Sequence, residues 1–243
     1  RFRLADVPGE RSSHEGSIPI FGGVAIFVGV IFSLLFWSEV ENIQFVIISL
    51  VIIFFTGIID DLIGLTPYKK LIFQCTAILI IIYFGHIQID NMHTVLGVQE
   101  LPDIIATMFT VFVVIVITNG FNLIDGVDGL AAGLGVISAI GFGIVGILMH
   151  QYDIAILAFS LTGSLLAFLK YNFNPAKIFM GDTGSLLIGL ILSLLAINSV
   201  CQGLIINTIK LPNKGPLLAI VFLAIPLFDS LRVWENIIFK VQN

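Results

Sequence analysis

The chain has 243 residues, 58% of them hydrophobic and only 11% charged, with a formal net charge of −5. A soluble domain carries about 25% charged residues, so the solvent for most of this chain is lipid rather than water. The acidic balance leaves no basic patch for nucleic acid, and Cys75 and Cys201 sit in apolar runs as buried thiols, not as a disulfide framework or a metal knuckle.

The chain opens on Arg1, with no signal peptide, and reads as a fragment that begins inside a loop. A helix needs about 20 apolar residues to cross a bilayer, and about eight stretches qualify. They run roughly over 19–37, 43–59, 70–86, 103–119, 128–149, 153–171, 184–206 and 215–229. Strands would alternate in polarity, and these runs do not. Helices also satisfy their own backbone in hydrocarbon. The expectation is an all-α, polytopic transmembrane bundle, with short connections packing neighbours antiparallel. No repeat of 20–50 residues divides it, so 1–243 forms one integral-membrane domain. After Asp229, SLRVWENIIFKVQN is too short and mixed for a span and reads as an amphipathic or interfacial helix.

Alternating the loops puts Arg1, Arg3, Arg11, Lys69, Lys70, Lys170, Lys177, Arg232 and Lys240 on one side. The other side receives Lys210 and Lys214. That asymmetry makes the first side cytoplasmic. Glu39, Glu41, Asp90, Glu100, Asp103 and Asp153 fall on the outer side as solvated loop residues.

The cytoplasmic side holds four polar clusters. In DVPGERSSHEGSIPIFGG, residues 6–23, Gly22 and Gly23 start a helix whose free N–H groups favour anions. Arg11 and His14 add a cation and a titratable ring. In GIIDDLIGLTPYKK, residues 57–70, Asp60 and Asp61 end an apolar span. Two adjacent, part-buried carboxylates need a cation, which Lys69, Lys70 or a divalent metal could supply. A helix end that simply reaches water is the plainer reading.

In NGFNLIDGVDGL, residues 119–130, Asn119, Asn122, Asp125 and Asp128 recur at every third position. If the segment is helical, Asn122 with Asp125, or Asp125 with Asp128, can share a face. These are hard oxygen donors suited to Mg²⁺. A polar cap between two helices would need only one or two such residues. In NFNPAKIFMGDTGSLLIG, residues 172–189, Asn174-Pro175 marks a turn. Asp182 could cap the following helix or bind a metal. Backbone N–H groups near Gly184 and Ser185 could hold phosphate.

Acids, amides, a few cations and glycines on one membrane face are an inventory for Mg²⁺-dependent phosphate chemistry, with Mn²⁺ as an alternative ion. A zinc site would want Cys or His ligands, and these loops hold only His14. The Gly-Lys-Ser/Thr ending of a P-loop is absent. Ser12, Ser13 and His14 leave a serine–histidine arrangement open, but there is no nucleophile elbow.

RSSHEGSIPIFGG, DDLIGLTPYKK, NGFNLIDGVDGLAAG and NPAKIFMGDTGSLLIG, in that order, resemble the motifs of the polyprenyl-phosphate N-acetylhexosamine-1-phosphate transferases. The likeness runs from Asp6 to Arg232. Its opening resembles the branch that initiates O-antigen, enterobacterial common antigen or teichoic-acid linkage more than the phospho-MurNAc-pentapeptide branch, which is the alternative. The resemblance implies transfer of a sugar-1-phosphate, GlcNAc-1-phosphate first, from a UDP-N-acetylhexosamine to undecaprenyl phosphate, with release of UMP. It also implies a bacterial inner-membrane protein whose active site faces the cytoplasm, with a homodimer as one assembly open to it.

By that resemblance, Asp60 and Asp61 match the family's acid pair, the first a base or an orienter of the lipid phosphate. Asp182 matches a metal ligand, and Asn122 and Asp125 line the metal and nucleotide pocket. Lys70 would hold a phosphate. Asn119 and Asp128 fall to substrate binding, with Arg11 and His14 near the nucleotide. Two departures stand out. Relatives usually carry one more helix before Asp6, and many carry a His-rich loop after the stretch matched by 226–232, where this chain has Trp234 to Asn243. The rival class is a transporter, suggested by intramembrane acids and many glycines. Such a protein would place its polar site near the midplane, on broken and repeated helices.

Overall fold

The computed structural model describes residues 5–6, 18–91, 100–202, 204–206, 209–211, 215–224 and 226–228. Seven long helices follow in order: α1 Gly22–Trp37, α2 Val40–Ile63, α3 Pro67–Gly85, α4 Asp103–Ile124, α5 Leu130–Leu148, α6 Tyr152–Asn172 and α7 Gly181–Gln202. A shorter apolar helix, α8, covers Gly215–Ala224. Two small antiparallel pairs complete the described chain: β1 Ala5–Asp6 with β2 Ile18–Pro19, and β3 Leu204–Ile206 with β4 Ile209–Leu211.

Helix ends follow local chemistry. Pro67 opens α3, where its missing N–H is not needed. Gly64, at φ 74°, ends α2 and donates its N–H to the Asp60 carbonyl at 2.8 Å. Gly129 and Gly181, at φ 74° and 72°, sit at the entries to α5 and α7.

The fold is an all-α, polytopic membrane architecture. Six helices are long and apolar enough to cross a membrane, α2 to α7. Large apolar side chains cover the outside: Phe36 is 75% exposed and Ile104 75%, which only a lipid solvent tolerates in such density. Inside, hydroxyls bridge helices: Ser49 donates to the Ala77 carbonyl at 2.8 Å, and Ser160 to Ser33 at 2.5 Å.

The centre is α7. Leu186, Leu187, Ile188 and Leu190 to Leu192 are all but inaccessible, and α1, α2, α4, α5 and α6 pack around it. A helix apolar on every side belongs in the middle of a bundle. Its N-terminus meets the C-termini of α2 and α4 and the N-terminus of α3 at one end, so every polar cluster read from the sequence and described here falls at that end.

Several boundaries differ from the sequence reading. The first stretch forms a helix of 16 residues, shorter than the next six, and the described residues of the eighth, 215–224 and 226–228, are helical. At the site end, α2 runs to Ile63 and α4 to Ile124, so Asp60, Asp61 and Asn122 are helical rather than in loops, and Asn119 is helical as expected. Their side chains find partners on other helices, which removes the reason to leave the helix. The seventh stretch does not continue to 206: Leu204–Ile206 pairs with Ile209–Leu211, as the β-branched run around Ile205 and Ile209 favours. Arg11, His14 and the segment after Asp229 lie outside the described residues.

Candidate active site

Asp61, in the last turn of α2, is built into α7. Its Oδ1 accepts the Asp182 N–H at 2.8 Å. Its Oδ2 accepts the Thr183 N–H at 3.0 Å and the Thr183 hydroxyl at 2.5 Å. The first N–H groups of a helix have no partner inside it and carry the positive end of its dipole. Asp61 therefore caps α7 from another helix. Nearby is a small cavity of about 60 Å³ lined by Ile20, Phe21, Asp61 and Thr183 among others.

Gly181 and Gly57 make this approach possible. A Cβ on Gly181 would come within 2.7 Å of an Asp61 oxygen, and one on Gly57 would strike the Thr183 backbone.

Asp60 faces the other way. Its Oδ1 accepts the Leu65 N–H at 2.6 Å, and its Oδ2 lies 2.9 Å from Lys70 Nζ. Lys70 Nζ also reaches Asp182 Oδ2 at 2.8 Å and Asn122 Oδ1 at 3.5 Å. Asn122 in turn donates to Asp182 Oδ1 at 2.5 Å and to the Ser185 hydroxyl at 2.9 Å. One ammonium thus joins α2 and α7 across α3. The Lys70 and Asp60 side chains are 14% and 10% exposed, against 34% for Asp182, which marks Asp182 as the open side of the cluster.

Asp125 stands just past the end of α4 and accepts no hydrogen bond from a described residue. Burial, then the negative charges of Asp182 and Asp61, push its carboxyl well above the usual carboxylate range. An acid with no donor among the described residues, under the negative charge of two other acids, is poised for a cation. Among the described residues no three His, Cys, Asp or Glu side chains form a closed metal cage. Mg²⁺ does not require one: it is commonly held by one or two carboxylates, with water and substrate phosphates supplying the rest. Asp125 and Asp182 fit that donor set.

The remaining sequence candidates have more local partners. Asp128 accepts the Ala176 N–H at 3.1 Å, which ties the α4–α5 turn to the segment before α7. It does not share its bond with Asp125. Asn119 pairs with Gln74 on α3 and donates to the Ile115 carbonyl at 2.9 Å. Gly22 and Gly23 do start a helix, but their N–H groups go to the Phe179 and Met180 carbonyls at 3.0 Å each, so they are not free for an anion. A Cβ on Gly23 would come within 2.7 Å of Thr183 Cβ, so the glycine is explained by close packing on α7. Gly184 packs back on Gly23, and Ser185 is fully buried beneath Asn122.

Three residues escaped the sequence reading. Thr183 completes the Asp61 cap. Asn172 accepts the Gly129 N–H at 2.9 Å and donates to the Ile178 carbonyl at 2.9 Å, holding the same turn that Asp128 holds. Gln74 is buried in the bundle. Its signal was available, because an amide in an apolar span has to find a partner.

The chain has relatives among known proteins. The sequence matches the glycosyl transferase family 4 model over residues 42–200. It is 34% identical over 230 residues to the probable undecaprenyl-phosphate N-acetylglucosaminyl 1-phosphate transferase of Bacillus subtilis, covering 93% of this chain and 62% of that protein. It is 35% identical over 229 residues to the phospho-N-acetylmuramoyl-pentapeptide-transferase of Borrelia hermsii, covering 79% of this chain and 64% of that protein. It is 34% identical over 216 residues to the decaprenyl-phosphate N-acetylglucosaminephosphotransferase of Mycolicibacterium smegmatis, covering 79% and 52%. The chain therefore spans less than two thirds of the length of these relatives.

Proposed function

The chain belongs to glycosyl transferase family 4, and from that premise we propose that it transfers GlcNAc-1-phosphate from UDP-GlcNAc to undecaprenyl phosphate, releasing UMP. The observation that carries this reading is the Lys70 ammonium set between Asp60 and Asp182, with Asn122 and the buried Asp125 beside it, at one end of the bundle. The acids lie at helix ends and not half-way along, which suits an enzyme at the membrane edge better than a transporter.

In the reaction a phosphate oxygen of the lipid attacks the sugar-bearing phosphorus of the UDP-sugar. The new P–O bond makes a lipid diphospho-sugar, and the bond to UMP breaks. Lys70 holds a phosphate oxygen, leaving one of its two carboxylate partners to do so. Asp60 orients the lipid phosphate rather than working as a strong base, since a phosphate's second pKa is already about 6. Asn122 fixes Asp182 through its amide, and Asp61 fixes it through the α7 backbone. Mg²⁺ on Asp125 and Asp182 would neutralise charge on the diphosphate. Sidedness from the basic residues supports an active site facing the cytoplasm of a bacterial inner membrane, where a soluble nucleotide sugar and an inner-leaflet lipid meet.

The test is UMP release by purified protein given UDP-GlcNAc, undecaprenyl phosphate and Mg²⁺. Turnover with UDP-GlcNAc is expected. Turnover with UDP-MurNAc-pentapeptide alone would move the chain to the second reading, which the likeness to the Borrelia hermsii enzyme supports. No UMP from either donor would remove both.

A further inference from the structure

Gln74 lies one turn deeper in α3 than Lys70, and Asn119 one turn deeper in α4 than Asn122. The two amides face each other reciprocally: Gln74 Nε2 reaches Asn119 Oδ1 at 3.5 Å, and Asn119 Nδ2 reaches Gln74 Oε1 at 3.4 Å. Gln74 is 2% exposed. The Asn119 amide is itself held by the Ile115 carbonyl at 2.9 Å. Above this rung, at 3.5 Å, is the Lys70–Asn122 contact. Toward the far end, the Ile89 N–H donates to the Thr110 hydroxyl at 2.9 Å and Thr107 donates to Gln88 at 3.4 Å. Among the described residues, the hydrogen bonds between α3 and α4 themselves are this rung and the Lys70–Asn122 contact, and interhelical hydrogen bonds add to packing in holding membrane helices together.

We infer that Gln74 is a positioning residue: by pairing with Asn119 it fixes the register of α3 against α4 and so places the Lys70 ammonium on Asn122 and Asp182. This rests on the function proposed above for that cluster. The physical ground is that a buried amide in hydrocarbon is satisfied in one register only. Sliding α3 by one residue moves Lys70 about 1.5 Å along the axis and turns it away. A misplacement of that size costs about 100-fold in rate for a positioned reaction.

The test uses the full chain in membranes, with Cys75→Ala and Cys201→Ala as background. In one arm, Lys70→Cys and Asn122→Cys are bridged by a short bifunctional thiol reagent, and adding Gln74→Leu is expected to slow bridging several-fold. Unchanged bridging would overturn the inference, and this arm needs no activity. In the other arm, Gln74→Leu and Asn119→Leu each lower kcat about 10- to 100-fold with little change in KM. The exchanged pair, Gln74→Asn with Asn119→Gln, recovers most of the loss. Wild-type kcat in Gln74→Leu, or an exchanged pair as slow as the single variants with an unchanged Tm, would also overturn it. An inactive wild-type chain, with the Lys70→Cys and Asn122→Cys pair bridging as expected with and without Gln74→Leu, would count against the proposed function and leave the register assignment standing.

Discussion

At the residue scale, the acids of the site differ in what holds them, and that decides what each substitution does. Asp182 combines exposure with an anchored carboxylate, so Asp182→Asn should abolish Mg²⁺-dependent UMP release while the protein still inserts; wild-type turnover would remove it from the metal site. Asp61 is committed to three donors on α7. Asp61→Ala should destabilise the protein by about 1–3 kcal/mol for each buried N–H left without a partner, read as a lower unfolding midpoint in detergent. Asp125 runs the other way. Its folded carboxyl holds a proton to higher pH than the unfolded chain, where Asp titrates near about 3.9. Between those two values the folded state binds more protons, so stability falls as pH rises through the window. Asp125→Asn should therefore raise Tm at neutral pH, flatten that slope and remove turnover. Added Mg²⁺ should raise the Tm of the wild type, by about 2.7 kcal/mol of stabilisation at 100 times its dissociation constant, and not that of Asp125→Asn. Equal Mg²⁺ shifts in both would place the ion elsewhere.

At the element scale, the N-terminus of α7 organises the site, and it depends on glycine. Gly181 has φ 72° and leaves no room for a Cβ beside the Asp61 carboxylate. Gly181→Ala combines left-handed strain of about 1–2 kcal/mol with displacement of Asp61. It should lower both Tm and kcat, whereas Gly126→Ala, with open space around it, should change stability little. The helices themselves were legible, because an apolar run of membrane length has few other states. Their ends were not. Asp60, Asp61 and Asn122 look like loop residues in sequence, since a polar side chain at the end of an apolar run usually meets water. For Asp61 and Asn122 the partners stand far along the chain, 121 residues away for the Asp182 N–H on Asp61 and 60 for Asn122 on Asp182. No local period encodes such a pairing. The same blindness turned Gly22 and Gly23 into an anion site, when carbonyls at 179 and 180 already fill their N–H groups. Which residues gather at one end was readable from the loop order; which acid caps a helix and which stays open was not.

At the scale of the whole molecule, the bundle carries its own boundaries. Trp37, Tyr83 and Tyr152 are exposed at the end away from the site, and Tyr68 and Tyr171 at the site end. Exposed Trp and Tyr gather at the two membrane–water interfaces. The acid–lysine cluster thus sits at the level of one interface, where a headgroup phosphate lies, and the hydrocarbon covers the helices between. The proposed function takes that interface to be the cytoplasmic one, on the distribution of basic residues among the loops. The consequence is directional. In a background of Cys75→Ala and Cys201→Ala, Gly126→Cys lies at the site end, exposed and without neighbours within 4 Å. Gln151→Cys lies at the opposite end, between α5 and α6. A membrane-impermeant maleimide applied to intact spheroplasts should label the second and not the first, and inverted vesicles should reverse the pattern. Labelling of Gly126→Cys from outside would turn the molecule over. It would also separate the cluster from any nucleotide sugar made in the cytoplasm, so this experiment bears on the proposed reaction without requiring turnover.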